Sequence, residues 1–197
     1  EMISGDWSSD VCSSDLILRE AIAAGITAFQ FREKGTGSLR GDEKISLGKK
    51  LRAICRESGI PFIINDDVDL VDVFEVDGIH VGQDDTDVKI LREKYPELFI
   101  GLSVSNENEL NNSPIDLVDY VGAGPVFATS SKEDAKKPVG VEWIQFLRQE
   151  HPELPIVGIG GINETNAHEV IEAGADGVAV ISAITKSKNI AETVRNL

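Results

Sequence analysis

Basic charge, cysteine and long apolar runs are all scarce in this chain, and each shortage removes a class of function. Only 19 Lys and Arg stand against 34 Asp and Glu, a formal net charge of −15 over 197 residues. A chain so acidic lacks the neutralising basic surface that a nucleic acid requires, so no nucleic-acid partner is expected. The two cysteines, Cys12 and Cys55, cannot build a disulfide framework, and neither sits at metal-ligand spacing. A reducing cytoplasm is the expected compartment. The longest apolar runs are Phe62-Ile63-Ile64, Ile156-Val157 with Ile159, and Val178-Ala179-Val180-Ile181. None approaches the ~20 residues needed to span a bilayer. No basic stretch leads into an apolar one, so neither secretion nor a membrane partner is expected. A protein nucleophile is missing too. His80 lies inside a strand pattern and reads as a satisfied core residue. His151 and His168 read as surface residues, and Cys55 as helix packing. No Ser/His/Asp or Cys/His arrangement can be assembled from them.

What is present is an ordinary globular composition with a strong alternation. Hydrophobic residues at 41% and charged residues at 27% suit one domain with one sizeable core. From Leu16 onward, apolar runs suited to buried strands alternate with stretches of helical periodicity. Strands are expected at 28–32, 61–65, 78–81, 99–103, 120–123, 156–159 and 177–181, each followed by a helix. Apolar, β-branched strands of this kind are buried on both faces, as in a parallel sheet. Repeated βα units fit either a doubly wound sheet or a (β/α)8 barrel. A doubly wound sheet expects its glycine-rich turn after the first strand. Here Gly158-Ile159-Gly160-Gly161 follows the sixth visible strand, where barrels commonly hold phosphate. The expected fold is therefore an α/β TIM barrel, with 16–197 as its single domain.

The first strand is the gap. Residues 1–15 contain Ser8-Ser9-Asp10 and, shortly after, Ser13-Ser14-Asp15, a near-repeat of low complexity poor in strand formers. The expectation is that this N-terminal segment is foreign to the fold. It would be a scar of engineering, sequencing or assembly, and the true first strand would be missing or replaced.

Five constellations sit at strand ends. Gln30-Phe31-Arg32-Glu33-Lys34 alternates, sending Gln30, Arg32 and Lys34 to one side. One amide, one guanidinium fork and one ammonium facing a barrel mouth suit a diphosphate. Asn65-Asp66-Asp67 and Gln83-Asp84-Asp85 close two neighbouring strands. Carboxylates there could face one Mg²⁺, which characteristically takes one or two carboxylates plus substrate phosphate. Asp67 or Asp85 could equally cap the next helix. Thr129-Ser130-Ser131-Lys132 offers hydroxyls and a cation in a long loop, an anion cradle or merely a polar loop. Gly158 to Gly161, with Ile181-Ser182 at the following strand end, could form a backbone nest for an anion or a simple tight turn.

Taken in order, Gln30–Lys34, Asn65–Asp67, Gly78–Gln83, Gly101–Ser103, Gly122–Phe127, Gly158–Ile162 and Ala173–Ser182 resemble the thiamine phosphate synthase family from Leu16 to the C terminus. The resemblance implies a transferase. It would join a hydroxymethylpyrimidine diphosphate to a thiazole phosphate, giving thiamine phosphate and pyrophosphate with Mg²⁺ as cofactor. It places Gln30, Arg32, Lys34, Asn65, Ser103 and Lys132 on the pyrimidine diphosphate, with Phe31 and Glu33 in the same binding run. Asp66 and Asp85 would hold the metal. Thr129, Ser131, Gly161, Ile181 and Ser182 would hold the thiazole phosphate, with Ser130 between them. Arg32, Lys34, Ser103 and Lys132 would carry the catalysis. In the family the second hydroxyl of the Thr129 loop is often threonine, and Ser131 keeps that donor. The family is thought to react dissociatively, which agrees with the absence of a nucleophile. Two alternatives remain: a related thiazole tautomerase, and a non-catalytic phosphate-binding barrel. A sugar-phosphate isomerase or aldolase would want a strand-end Lys or Glu base, and none is placed. The partners are small phosphorylated molecules, and a homo-oligomer is compatible with the reading.

Overall fold

Eight short parallel strands hydrogen-bond in sequence order and close on themselves. They are β1 (Met2–Gly5), β2 (Ala28–Phe31), β3 (Phe62–Asn65), β4 (Gly78–Val81), β5 (Phe99–Val104), β6 (Tyr120–Ala123), β7 (Ile156–Ile159) and β8 (Gly177–Val180). This computed structural model describes residues 2–5, 11–129 and 136–197, with backbone alone for 2–5 and 11–13. The helices that return the chain are α1 (Val11–Ala24), α2 (Gly41–Ser58), α3 (Val71–Phe74), α4 (Val88–Lys94), α5 (Glu107–Asn112), α6 (Glu142–Glu150), α7 (Ala167–Glu172), α8 (Ser182–Thr185) and α9 (Ile190–Arg195). The barrel and the seven expected strands stand as read, each to within a residue at its ends.

The expectation of a missing first strand is corrected. Met2–Gly5 pairs with Ala28–Phe31 along its whole length, and Met2 and Ile3 pair with Ala179 and Val180. A strand in this place receives a ladder from both sides, so four residues suffice despite their weak intrinsic preference. The barrel thus begins before residue 16. The second Ser-Ser-Asp is helical rather than irregular, since α1 starts at Val11, and Asp15 in it forms an ion pair with Lys50 of α2.

Alternation divides each strand between two environments. The outward residues Phe29, Phe31, Phe62, Ile64, Ile79, Val81, Ile100 and Leu102 are buried against the helices. Phe31 stacks on Phe62 with ring centroids 5.9 Å apart and meets Phe74 edge-on at 5.6 Å. The inward apolar residues are fewer: Ala28, Ile63, Tyr120, Val157 and Ala179 form a separate small cluster. Glycines open the rest of the interior. A Cβ on Gly101 would lie 2.2 Å from the Tyr120 ring, and one on Gly122 would lie 3.0 Å from the His80 ring. Both rings occupy space that a larger residue would fill.

The N-terminal mouth is held by a repeated clamp. Asp77, just before β4, accepts from the Phe62 N–H at 2.7 Å and from Arg52 of α2 at 2.8 Å. Asp119, just before β6, accepts from the Ile100 N–H at 2.7 Å and from Arg92 of α4 at 2.6 Å. Asp176, just before β8, accepts from the Ile156 N–H at 2.8 Å and from Arg148 of α6 at 2.6 Å. Each arginine also donates to backbone carbonyls, of Glu75, Leu117 and Gly174 respectively. One charged fork therefore ties a helix to the entrances of two strands in every second βα unit.

Candidate active site

The C-terminal mouth opens into a cavity of about 270 Å³, near the lower end of the ~300–1,000 Å³ common for small-molecule sites. Inward parity brings Gln30 and Arg32 into its wall from β2 and its end, with Lys34 from the loop beyond, and Asn65 from β3; Asp66 comes from the turn after β3 and Asp85 from the loop after β4. Ser103, Thr129, Gly161, Ile181 and Ser182 complete the wall from the other side. These eleven expected residues are brought together. Phe31 and Glu33 are not. Phe31 lies in the apolar layer under the helices. Glu33 is buried with its carboxylate accepting from the Leu39 N–H at 2.8 Å. The alternation that aims Arg32 inward turns both of them outward, which corrects their place in the binding run. Ser130, Ser131 and Lys132 lie outside the described residues.

The electrostatic centre is a contact between two carboxylates. Asp66 sits at φ 61, a left-handed backbone conformation that aspartate tolerates better than most residues. Its carboxylate is hydrogen-bonded to Lys34 and also lies within hydrogen-bonding reach of Asp85. Burial pushes the Asp66 carboxyl up; Lys34 pulls it down, and Asp85 adds to the rise. Lys34 is raised as well. Burial would lower it, but Asp66, Asp85 and Asp67 together hold its ammonium charged to higher pH. Asp85 also accepts from the Gly82 N–H at 2.8 Å, which fixes its side chain. Neither Asp67 nor Asp85 caps a helix. Asp67 pairs with Lys44 at 2.6 Å, and the cap of α4 is Asp87, accepting from the Lys89 N–H at 2.7 Å.

Sequence reasoning missed two further wall residues. His80 and Tyr120 line the cavity floor, with His80 Nδ1 3.0 Å from the Tyr120 hydroxyl and Nε2 2.8 Å from Ser103 Oγ. Their parity was the available signal: His80 alternates inward on β4 as Ser103 does on β5. On the rim, Asn106 caps α5, its side chain accepting from the Glu109 N–H and donating to the Glu109 carboxylate, which also accepts from the Ser105 N–H. Glu109 also holds Lys136 at 2.6 Å, at the edge of the cavity. Opposite, the turn after β7 packs against the β6 loop. The Phe127 N–H donates to the Gly160 carbonyl at 3.0 Å. A Cβ on Gly161, whose φ is 71, would lie 2.6 Å from the Ala128 carbonyl oxygen. Only glycine fits so close an approach at that φ.

A family model described as thiamine monophosphate synthase matches residues 8–184. The chain belongs to that family. It is 60% identical over 181 residues to a thiamine-phosphate synthase of Oceanobacillus iheyensis, covering 92% of this chain and 88% of the relative. It is 54% identical over 178 residues to one of Staphylococcus saprophyticus, covering 90% and 84%. Among solved structures, a thiamine phosphate pyrophosphorylase from Pyrococcus furiosus superposes with a TM-score of 0.85 at 32% identity, covering 100% of this chain and 92% of that one. A 3-hexulose-6-phosphate synthase from Salmonella typhimurium, at 15% identity and a TM-score of 0.72, shares the fold. As a member of the thiamine monophosphate synthase family the chain is an enzyme, a transferase of thiamine biosynthesis. Among the described residues no helix is long and apolar enough to cross a membrane.

Proposed function

We propose that this chain joins 4-amino-2-methyl-5-hydroxymethylpyrimidine diphosphate to 4-methyl-5-(2-phosphoethyl)thiazole, releasing pyrophosphate and forming thiamine phosphate. The observation that carries the proposal is the Asp66–Asp85 contact beside Lys34, in a wall shared with Arg32 and Asn65. Two carboxylates pressed together call for a cation. Among the described residues no group of three His, Cys, Asp or Glu could hold a metal ion. Two carboxylates are a partial set, fitting Mg²⁺ completed by diphosphate oxygens and water rather than a wholly protein-bound ion. Bound there, Mg²⁺ would neutralise charge on the departing pyrophosphate.

The chain's own residues would do the remaining work. Arg32, Lys34 and Lys132 hold and neutralise the diphosphate, with Gln30, Asn65 and Ser103 fixing the pyrimidine half. The bond between the pyrimidine methylene and the diphosphate oxygen breaks with its electron pair going to oxygen. The aminopyrimidine ring stabilises the cation left behind. The thiazole nitrogen then supplies the pair for the new C–N bond. Thr129, Ser131, Gly161, Ile181 and Ser182 hold the thiazole phosphate so that this nitrogen faces the methylene. No protein base or nucleophile is required, so catalysis rests on positioning and charge stabilisation. A thiazole tautomerase has no use for the carboxylate pair, and a non-catalytic barrel has no use for Arg32 and Lys34 converging beside it. The test is to combine both substrates with and without Mg²⁺ and measure thiamine phosphate. Magnesium-dependent product is expected; none from folded protein overturns the proposal. A cytoplasmic location accords with the small phosphorylated substrates.

A further inference from the structure

We propose that Asn166 is a positioning residue for the phosphate of the thiazole substrate, because its side chain fixes which way the Gly161–Ile162 peptide faces. The Asn166 amide nitrogen donates to the Gly161 carbonyl at 3.1 Å, and its oxygen accepts from the Asn163 N–H at 2.8 Å. A carbonyl only accepts and a backbone N–H only donates, so these two partners leave the amide a single orientation. Asn166 stands just ahead of α7, outside the cavity lining. The Gly161 carbonyl is therefore drawn away from the cavity, toward the helix layer. A trans peptide is planar, and its N–H points opposite to its carbonyl. The Ile162 N–H is thereby turned back into the cavity that Gly161 and Ile162 line. An N–H is the polarity a phosphate needs; the reversed peptide would set a carbonyl oxygen against the anion.

The Ile162 side chain supports the same orientation. It is buried in the core under the helices, where its Cδ1 would lie 3.3 Å from a Cβ on Gly158, beside Val170 of α7 and Ile144 of α6. With the side chain turned there, what Ile162 presents to the cavity is backbone. The flanks of the turn are braced independently. The Gly160 carbonyl accepts from the Phe127 N–H at 3.0 Å, and the Asn163 carbonyl from the Asn166 and Ala167 N–H groups at 3.1 and 3.0 Å. Asn163 Oδ1 accepts from the Thr165 N–H at 2.9 Å. Glycine at 161 admits either orientation of the peptide between these flanks, and Asn166 selects one.

The inference rests on the reading of Gly161 and Ser182 as thiazole phosphate contacts, and two measurements separate the two claims. The first needs no reaction and no variant: ¹H–¹⁵N NMR of the protein titrated with inorganic phosphate in the absence of Mg²⁺. The Ile162 and Ser182 amides should shift together. A shift at Ser182 with none at Ile162 overturns the proposal, and none at either overturns the phosphate reading beneath it. The second is steady-state kinetics of Asn166→Asp. Aspartate starts a helix as well as asparagine does and still accepts from the Asn163 N–H, but it has no hydrogen for the Gly161 carbonyl. The KM for thiazole phosphate should rise about tenfold, as for one hydrogen bond to a charged group, with the KM for the pyrimidine diphosphate unchanged. An unchanged KM for thiazole phosphate, or an equal rise in both, overturns the proposal. Asn166→Ala brings no carboxylate near the phosphate and should raise the same KM by a similar factor; a rise with aspartate alone would be charge repulsion and also overturns it. Ser182→Ala is the control on the reading. If it and both Asn166 variants leave the KM for thiazole phosphate untouched, the phosphate site itself has been misplaced.

Discussion

Aspartates at the two mouths of this barrel live in opposite surroundings. At the N-terminal mouth, Asp77, Asp119 and Asp176 each meet an arginine and a backbone N–H. At the C-terminal mouth, Asp66 and Asp85 meet each other, and Lys34 pairs with Asp66. The first arrangement satisfies its charges within the chain. The second leaves negative charge that a cation would satisfy. Stability and function are therefore separated along the barrel axis, and the same residue type serves both.

That contrast can be broken at either end. The largest effect is expected at the top: Lys132→Ala should lower turnover by about 10²–10³, the usual loss of one charge-stabilising donor. Lys94→Ala, on the exposed face of α4 with its ammonium over the Tyr95 ring, should leave turnover unchanged. Steady-state kinetics of both variants check this, and equal effects would remove Lys132 from the site. Next comes the bottom. Asp77→Ala should cost about 1–2 kcal/mol of stability, because a charged acceptor and its N–H partner are lost but the site is partly screened by water. Turnover per folded molecule should not change. Urea unfolding alongside kinetics decides it, and a turnover loss at equal stability would end the separation of roles.

The smallest effect has an inverted sign. The Asp66 carboxyl is raised in the folded state, so its ionisation costs stability at neutral and alkaline pH. That cost disappears as pH falls through the raised value, where the folded form takes up a proton before the unfolded one does. Asp66→Asn should therefore stabilise the protein at pH 8, and the gain should shrink in acid. Asparagine also accepts the left-handed backbone at this position. The same variant should lose any rise in melting temperature that Mg²⁺ gives the unaltered protein. Thermal melts across pH, with and without Mg²⁺, measure both. A variant less stable at pH 8 would show that the Lys34 pair outweighs the Asp85 contact.

Most of this arrangement was legible in the sequence because parallel strands are written as apolar runs and their ends as polar clusters. Gln30, Arg32 and Lys34 could be aimed inward by alternation alone, and the same alternation should have kept Phe31 and Glu33 out. The first strand was not legible. Its pairing comes from β2 and β8, and nothing local in four residues beside a Ser/Asp-rich stretch announces such partners. The Asp66–Asp85 contact could be guessed from adjacent strand ends, but not the positive φ that turns Asp66 toward its neighbour. The polar floor was hidden for another reason. His80 and Tyr120 sit on strands separated by β5, and the glycine that makes room for each carries no signal of which ring it admits.

The clamp at the lower mouth has a period of two βα units, and that period divides the molecule in its own way. Each clamp closes within one stretch, α2 to β4, α4 to β6, or α6 to β8, and none reaches into the next. The chain is thus three tandem cassettes and a remainder, each cassette cross-braced by its own arginine. Heredity and rearrangement would act on such a barrel in steps of two units. A circular permutant opened in the loop after β2, β4 or β6 keeps every brace whole. One opened after β3, β5 or β7 divides a brace between the two ends of the chain.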